Sequence, residues 1–480
     1  METSAAAGGG DANAAGPVGA GDGSAVYAAG GAAAGTGGTV AVPWPSPGRA
    51  WYALAIFALA LTINFLDRGI LNLLIEPIKH DLALSDVQMG VLTGFAYVLF
   101  YVLLGLPIAR LADSRSRRLI LGCGIAMWSV MTAVCGLAHS FWQLFICRVG
   151  VGVGEACSGP ATYSMMADLF PKEKLPRAIS VLNFGFVSGT ALALLVGGAA
   201  IHLVSTMPPV SLPLFGTLRP WQLTFLLVSI PGFIVAALFT TVKEPVRRGR
   251  VAFGTAPGRS MPIREVIAFM LRNRRTYGAM FLALAFNSAA FLGIQAWTPP
   301  FFTRAFGWTS AQVGLVFGLV LLVIAPVGLL CGSFLAEWYA KRGYADANLR
   351  VTLISFALVV PLAVAFPLMP TAGLSVAMLA LMFFIAMLNP GPQNAALQII
   401  TPNQMRGQVT ALYLFIFNAV GFGAGATIVA FATDYLFRDE SKVGLAMATV
   451  AGVLGPLSAA CLWTGLKPYA ESVARAREWG

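Results

Sequence analysis

The chain has 480 residues, 58% of them hydrophobic and 11% charged, with a mean hydropathy of +0.77 and a formal net charge of +11. Soluble domains carry about 25% charged residues, so this chain lacks the polar surface to face water and reads as a polytopic membrane protein. The basic residues do not make a nucleic-acid surface: they sit in short connectors between apolar runs, where they set orientation and meet lipid headgroups.

Residues 1–50 are expected to form a disordered cytoplasmic tail. The first 44 are rich in Gly and Ala, hold no Lys or Arg, and lack the basic start and apolar run of a secretory signal. Twelve apolar segments follow, at 51–76, 88–112, 117–138, 142–169, 176–203, 221–241, 275–302, 310–338, 351–368, 373–397, 405–433 and 443–466. A spanning helix needs about 20 apolar residues, and continuous runs of this length exclude the alternating pattern of a membrane β-barrel. The fold class is therefore all-α, with twelve transmembrane helices. The connectors on the side of the termini, with the flanks, hold 24 Lys and Arg against five on the opposite side. That asymmetry places both termini in the cytoplasm of a multi-pass cell-membrane protein.

The longest connector divides the spans six and six: an N-terminal bundle over 51–241, a linker over 242–274, a C-terminal bundle over 275–467 and a tail over 468–480. Within the linker, "PIREVIAFMLRNRR" sets Ile263, Val266, Ile267, Met270 and Leu271 on one helical face, so an interfacial helix is expected. The halves echo each other. "LADSRSRR" from Leu111 recurs in spacing as "LAEWYAKR" from Leu335, and "PKEKLPRA" before the fifth segment matches "PNQMRG" before the eleventh. Two echoes at nearly one offset indicate a duplicated six-span unit.

Charges inside the spans are costly, at least ~2.5–3.5 kcal/mol each on insertion scales. Four lie away from span ends: Asp67, Arg68, Arg148 and Glu155. At 1.5 Å per residue, Asp67 and Arg148 fall at similar depth, and Glu155 lies seven residues beyond Arg148, near the midplane. The spacing predicts that Arg148 meets Asp67 across a cavity and Glu155 below it. Arg68 has three open readings: a pair with Asp67, a lipid phosphate, or an anionic substrate. Glycines of "GVGVGEACSGP" suit close helix packing, and Gly159-Pro160 would loosen the helix.

The second half supplies uncharged polarity instead. Asn287, Gln295, Trp297, Asn389, Gln393 and Asn418 are, with Arg68, the candidate substrate contacts, and Pro390 and Pro392 predict local unwinding. The six cysteines have no metal-ligand spacing and read as packing residues; no metal and no cofactor is expected. His80, His139 and His202 lie near segment ends without acidic partners, so no catalytic set is expected and the chain does not read as an enzyme.

The stretch "ARLADSRSRRLIL" resembles the signature loop of the major facilitator superfamily, Gly-x-Leu-Ala-Asp-Arg-x-Gly-Arg-Lys. It keeps Leu111, Ala112, Asp113, Arg117, Arg118 and Leu121, and departs at Ala109, Ser114 and Ser116. That resemblance implies the major facilitator fold and a gate latch at Asp113 with Arg117 and Arg118, mirrored by Glu337 and Arg406. Within the superfamily, "NFLDR" (Asn64–Arg68), "RVGVGVGEACSGPA" (Arg148–Ala161) and "ADLFPKEKLPRAISV" (Ala167–Val181) resemble the Spinster-like carriers. This resemblance implies a monomeric, proton-coupled secondary transporter of an amphipathic or lipid-like anion, such as a lysophospholipid or sphingoid phosphate. It also implies proton coupling at Glu155, Asp67 and Arg148. The rival readings are a symporter of small organic acids and a broad drug–proton antiporter. The expected partners are the small-molecule or lipid substrate, protons and membrane lipids.

Overall fold

Helix α1 (Pro47–Leu73) begins with proline in its first turn, where the missing N–H costs nothing. The computed structural model describes residues 43–171, 174–208, 210–212, 216–247, 262–402 and 404–476. The expected tail over 1–50 therefore falls outside the described residues, except for its last eight positions, four of which open α1.

The remaining helices follow in chain order. They are α2 (Ile75–Leu82), α3 (Asp86–Gly90), α4 (Ala96–Ser114), α5 (Arg117–Cys135), α6 (Phe141–Glu155), α7 (Ser158–Leu169), α8 (Leu175–Ser205) and α9 (Pro220–Leu238) in the first half. The linker contributes α10 (Ile263–Arg272). The second half holds α11 (Arg274–Phe306), α12 (Ser310–Lys341), α13 (Ala347–Ala365), α14 (Ala372–Met387), α15 (Pro390–Ile399), α16 (Arg406–Ile416), α17 (Gly425–Phe431) and α18 (Val443–Ala476). A hairpin of β1 (Val210–Leu212) and β2 (Gly216–Leu218), paired Val210↔Leu218, joins α8 to α9; the sequence reading had no place for it.

Twelve traverses in two groups of six result. Among the described residues ten runs are long and apolar enough to cross a membrane. The fourth traverse is broken at Ala156-Cys157 into α6 and α7, and the fifth is α8, of which Gly189–Ser205 counts as a shorter apolar helix. The break falls three residues before Gly159-Pro160, directly after Glu155. The tenth traverse is broken at Leu388-Asn389, and Pro390 opens α15, as the proline pair predicted.

Four of the helices that start on the face away from the termini, here called the far end, carry hydroxyl caps. Ser85, Ser140, Thr309 and Thr371 each accept a bond from the amide three residues on, at α3, α6, α12 and α14. These caps satisfy amides that have no partner within the helix.

The core shows how the halves meet. One apolar cluster at the far end draws on both halves, with Ile70, Leu74, Leu194 and Phe225 packed together with Trp297, Phe302, Phe317 and Val429. Toward the termini the core divides. One cluster, around Phe57, Trp128 and Phe239, has its buried residues in the first half; another, around Tyr277, Phe356 and Tyr469, has them in the second. At the far end α8 crosses α12 so closely that a Cβ on Gly314 would stand 2.6 Å from the Leu194 carbonyl oxygen. A Cβ on Gly90 of α3 would stand 3.0 Å from the Ala426 carbonyl of α17. Glycine is required at Gly314, because no side chain fits that gap.

Candidate functional site

The four intramembrane charges do come together, but with different partners from those the spacing predicted. Arg68 of α1 points Nε and Nη2 at Oε2 of Glu155, at 2.9 and 2.8 Å. Tyr97 of α4 donates its hydroxyl to the same oxygen at 2.7 Å. All three donors thus converge on Oε2, while Oε1 is buried with no hydrogen-bond partner. The Glu155 side chain is 0% exposed and that of Arg68 14%, so the carboxylate is sealed and the arginine side chain nearly so.

Aromatic faces surround the guanidinium. Its carbon lies 4.5 Å from the Tyr97 ring centre, 5.3 Å from Tyr101, 5.4 Å from Phe65 and 5.6 Å from Phe422. Such cation–π contacts stabilise a charge held away from water by about 2 kcal/mol when desolvated. Phe422 comes from the second half, between α16 and α17, so the site has walls from both halves. None of these four aromatics was singled out from the sequence. Tyr97 and Tyr101, four apart on one helical face, were the legible signal.

The expected placement of Arg148 between two carboxylates needs correction. Glu155 is taken by Arg68, and no ion pair within 4 Å links Arg148 to Asp67 or Glu155 among the described residues. Arg148 and Glu155 share a helical face but stand two turns apart, roughly 10.5 Å along the axis, which is too far for contact. The direction of side chains explains the exchange. Side chains lean toward the N-terminus of their helix, so on α1 and the oppositely directed α6, Arg68 and Glu155 lean toward each other while Arg148 leans away.

Asp67 and Arg148 remain electrostatic neighbours, as their similar depth predicted, with Thr132 beside the carboxylate. Both Asp67 oxygens, Thr132 Oγ1, Arg148 Nε and Asn64 Nδ2 are buried without hydrogen-bond partners. Arg148 also sits 5.8 Å from the Tyr97 ring centre, so the tyrosine links the two charge pairs.

The second-half candidates do not converge on this site. Trp297 is fully buried and its indole N–H donates to the Ala426 carbonyl at 2.8 Å. Asn287 borders a small internal void with Phe291, Phe356 and Met382. Asn389 Oδ1 and Gln393 Nε2 are buried and unpartnered on α15. Gln295 is half-buried, and Asn418 donates to the Leu414 carbonyl within its own helix at 2.7 Å.

Ion networks mark both ends. At the far end Arg304 of α11 bonds Glu76 at 2.8 Å and both oxygens of Asp86 at 2.7 Å, and its Nη1 reaches the Glu440 carbonyl. Lys79 joins Asp86 at 2.5 Å and Glu440 at 2.7 Å, and the Val87 amide donates to Asp434. Glu76, Lys79, Asp86 and Val87 belong to the first half, and Arg304, Asp434 and Glu440 to the second. The sequence reading counted Lys79 and Arg304 only as far-side charges and missed this bridge. Their position at the ends of α2 and α11, opposite acids at Asp86 and Glu440, was the available signal.

At the terminal end Arg117 is buried between Asp168 at 2.5 Å and Glu244 at 2.9 Å. The Arg118 amide donates to Glu244 at 2.8 Å, and its guanidinium to the Thr240 and Val242 carbonyls. Burial works against the Glu244 charge, but the Arg118 amide, the Arg117 guanidinium and the Ser116 hydroxyl together hold its carboxyl below the usual range. These contacts join first-half helices to one another and to the start of the linker, and none reaches the second half. The Asp113 side chain lies outside those described. Arg406 donates to the Gln398 and Thr401 carbonyls at 3.0 Å, while Glu337 is exposed and has no ion pair among the described residues.

A family model described as Major Facilitator Superfamily matches residues 57–426. The chain belongs to that superfamily. It is a transporter by that membership and not an enzyme, and Spinster proteins are among its relatives. Among its relatives, an MFS-type efflux pump of Mycolicibacterium smegmatis is 28% identical over 436 residues, covering 89% of this chain and 95% of the relative. Protein spinster of Drosophila melanogaster is 23% identical, covering 85% of this chain and 67% of that one. A solved structure of a bacterial homolog of the human lysosomal transporter Spinster, inward-facing and unoccupied, superposes with a TM-score of 0.71 at 23% identity, over 90% of this chain and 99% of that one. The superfamily's signature loop falls at the α4–α5 turn, where Arg117 is sealed between Asp168 and Glu244.

Proposed function

We propose that this transporter couples protons to the movement of an amphipathic anion by alternating access, and that Glu155 carries the coupled proton. The observation that carries the reading is the arrangement at Glu155: three donors fill Oε2 and leave Oε1, buried, to accept a proton. Protonation removes the negative charge that holds Arg68. The guanidinium is then available to an anionic headgroup, while Phe65, Tyr101 and Phe422 offer apolar surface to the rest of the molecule. Proton on Glu155 and anion on Arg68 therefore favour each other, because each relieves the other's unpaired charge. Asp67, held beside Arg148 and close to Glu155, is the second acidic group of the relay.

The closed far end and the divided core toward the termini correspond to one of the two access states, with the site reached from the side of the termini. The charge asymmetry of the connectors assigns that side to the cytoplasm. Asp113, at the turn beside those contacts, then serves as the latch of the opposite state, in which the side of the termini is shut. The ring of aromatics favours an amphipathic anion over a small organic acid, which would leave those faces uncovered.

The deciding experiment is uptake by reconstituted vesicles of a lysophospholipid, a sphingoid phosphate and a sugar acid, with and without an imposed pH gradient. Gradient-stimulated uptake of a lipid-like anion supports the proposal. Stimulation confined to the sugar acid would replace the substrate class, and flux indifferent to the gradient would remove proton coupling.

A further inference from the structure

We infer that the groove between the terminal ends of α11 and α18 binds an anionic phospholipid, its phosphate on Arg274 and Arg275 and its upper acyl chain along the helix crossing. A cavity of about 410 Å³ opens there, on the lipid-facing side and away from the charge cluster. Arg274 and Arg275 line its mouth, and both are exposed, with no ion pair among the described residues. Arg272 and Lys467, also exposed, add to the positive charge around it.

Beyond the arginines the groove turns apolar. Gly278 and Ala279 form its floor, and a Cβ on Gly278 would meet nothing within 4 Å, so the floor is open for a chain to lie on. At the base Gly465 comes close to Ala279, where an added Cβ would stand 2.8 Å from the alanine methyl carbon. Leu282, 53% exposed, continues the apolar track toward the membrane interior.

The linker helix fixes the level of the groove relative to the membrane. In α10, Val266 is buried against the second-half core and Phe269 and Met270 pack on the same cluster. Ile263, Ile267 and Leu271, spaced four apart, point outward at 65%, 46% and 64% exposure. An outward apolar stripe ending at Arg272 suits a helix at the headgroup boundary, and α11 begins two residues later with the two arginines. Basic residues above an apolar inter-helical groove match a lipid with an anionic head. A free anion would use only the arginines and leave the groove empty.

The test is native mass spectrometry of the full chain in detergent, titrated with phosphatidylglycerol or with phosphatidylcholine of the same chains. Wild type should show a first adduct selective for phosphatidylglycerol. Arg274→Gln/Arg275→Gln should weaken that adduct by about 30-fold, at about 1 kcal/mol per basic residue near an anionic surface, and leave the phosphatidylcholine adduct unchanged. Gly278→Leu, which keeps both charges, should weaken phosphatidylglycerol as well, while Arg342→Gln, a basic change elsewhere on the same side, should not. Equal adducts of both lipids on wild type, or an unaffected phosphatidylglycerol adduct in the double variant, would overturn the site. Displacement of the lipid by millimolar inorganic phosphate, with Gly278→Leu silent, would reduce it to an anion contact and overturn the lipid assignment. Size-exclusion profiles and melting curves of each variant separate loss of the lipid from loss of the fold.

Discussion

At the far end of the molecule, the Arg304–Asp86–Lys79–Glu440 network, the α8–α12 and α3–α17 crossings and one apolar cluster all belong to both halves at once. At the terminal end, Arg117 ties Asp168 of the first half to Glu244 of the linker, Tyr277 and Thr401 tie residues of the second half, neither contact crosses between the halves, and the apolar core is split in two. The contrast separates two jobs. Bonds within a half make it a body that moves as one, whereas bonds between halves must break when access switches. A far end closed by ion pairs suits that second job, because water can take over their hydrogen bonds once the halves part, while an apolar seal alone would only lose contact.

The strongest way to break this contrast is to remove the far-end cation. Arg304→Gln leaves Asp86, whose side chain is 0% exposed, with Lys79 alone and cuts the ties to Glu76 and Asp86. Removing one partner of a buried pair costs about 3–5 kcal/mol, enough to shift a two-state population more than about 100-fold. Spin labels on Ser205 and Thr309 should then report a longer far-end distance; an unchanged distribution would show that the helix crossings hold the end shut without the ions.

The terminal-end cluster gives a smaller, pH-dependent effect. The Glu244 carboxyl is depressed in the folded protein, so its stabilisation is fully present above the ordinary carboxylate value of about 4.3. It is lost as the pH falls through the lower folded value. Glu244→Gln should lower stability by about 1–2 kcal/mol at pH 7, allowing for partial exposure. The gap from wild type should close under acid. Melting curves of both proteins across pH would show this, and a gap that does not narrow as the pH falls below the ordinary carboxylate value of about 4.3 would remove the carboxylate from this cluster.

Within the site, Asp67→Asn removes a negative neighbour of Glu155, so loading the coupled proton needs more acid. The pH profile of transport should move toward acid in a variant that keeps its fold. An unshifted profile would separate Asp67 from coupling. The smallest effect is expected at Trp297→Phe, which loses one buried hydrogen bond and about 1 kcal/mol. Stability should fall while the apparent substrate affinity stays as in wild type; a change in affinity would restore Trp297 to the binding surface.

The sequence made the fold plain because hydropathy and the repeated loop both act over long stretches. It also located the four charges inside the spans, since a charge in the middle of an apolar run stands out. Pairing was harder. Depth arithmetic made Asp67 and Arg148 electrostatic neighbours, but the contact it predicted between them is not among the described ion pairs, and by ignoring the lean of side chains along opposed helices it gave Glu155 to Arg148 rather than Arg68. The far-end network was invisible for a different reason: Arg304 and Asp86 are 218 residues apart, and each alone looks like an ordinary charge at a span end. Glu244 was hidden likewise, in a linker read for its basic residues and its apolar helical face. Asn287, Asn389 and Gln393 were seen as a polar set, but their separate surroundings within the second half depend on packing that periodicity does not report.

Accumulation and exchange, measured side by side in vesicles for Glu155→Gln, test the central claim most directly. Glutamine keeps an oxygen for Arg68 and Tyr97 but cannot cycle a proton. The account predicts that accumulation driven by a pH gradient disappears while substrate exchange across the membrane persists. Full gradient-driven accumulation by this variant would contradict it.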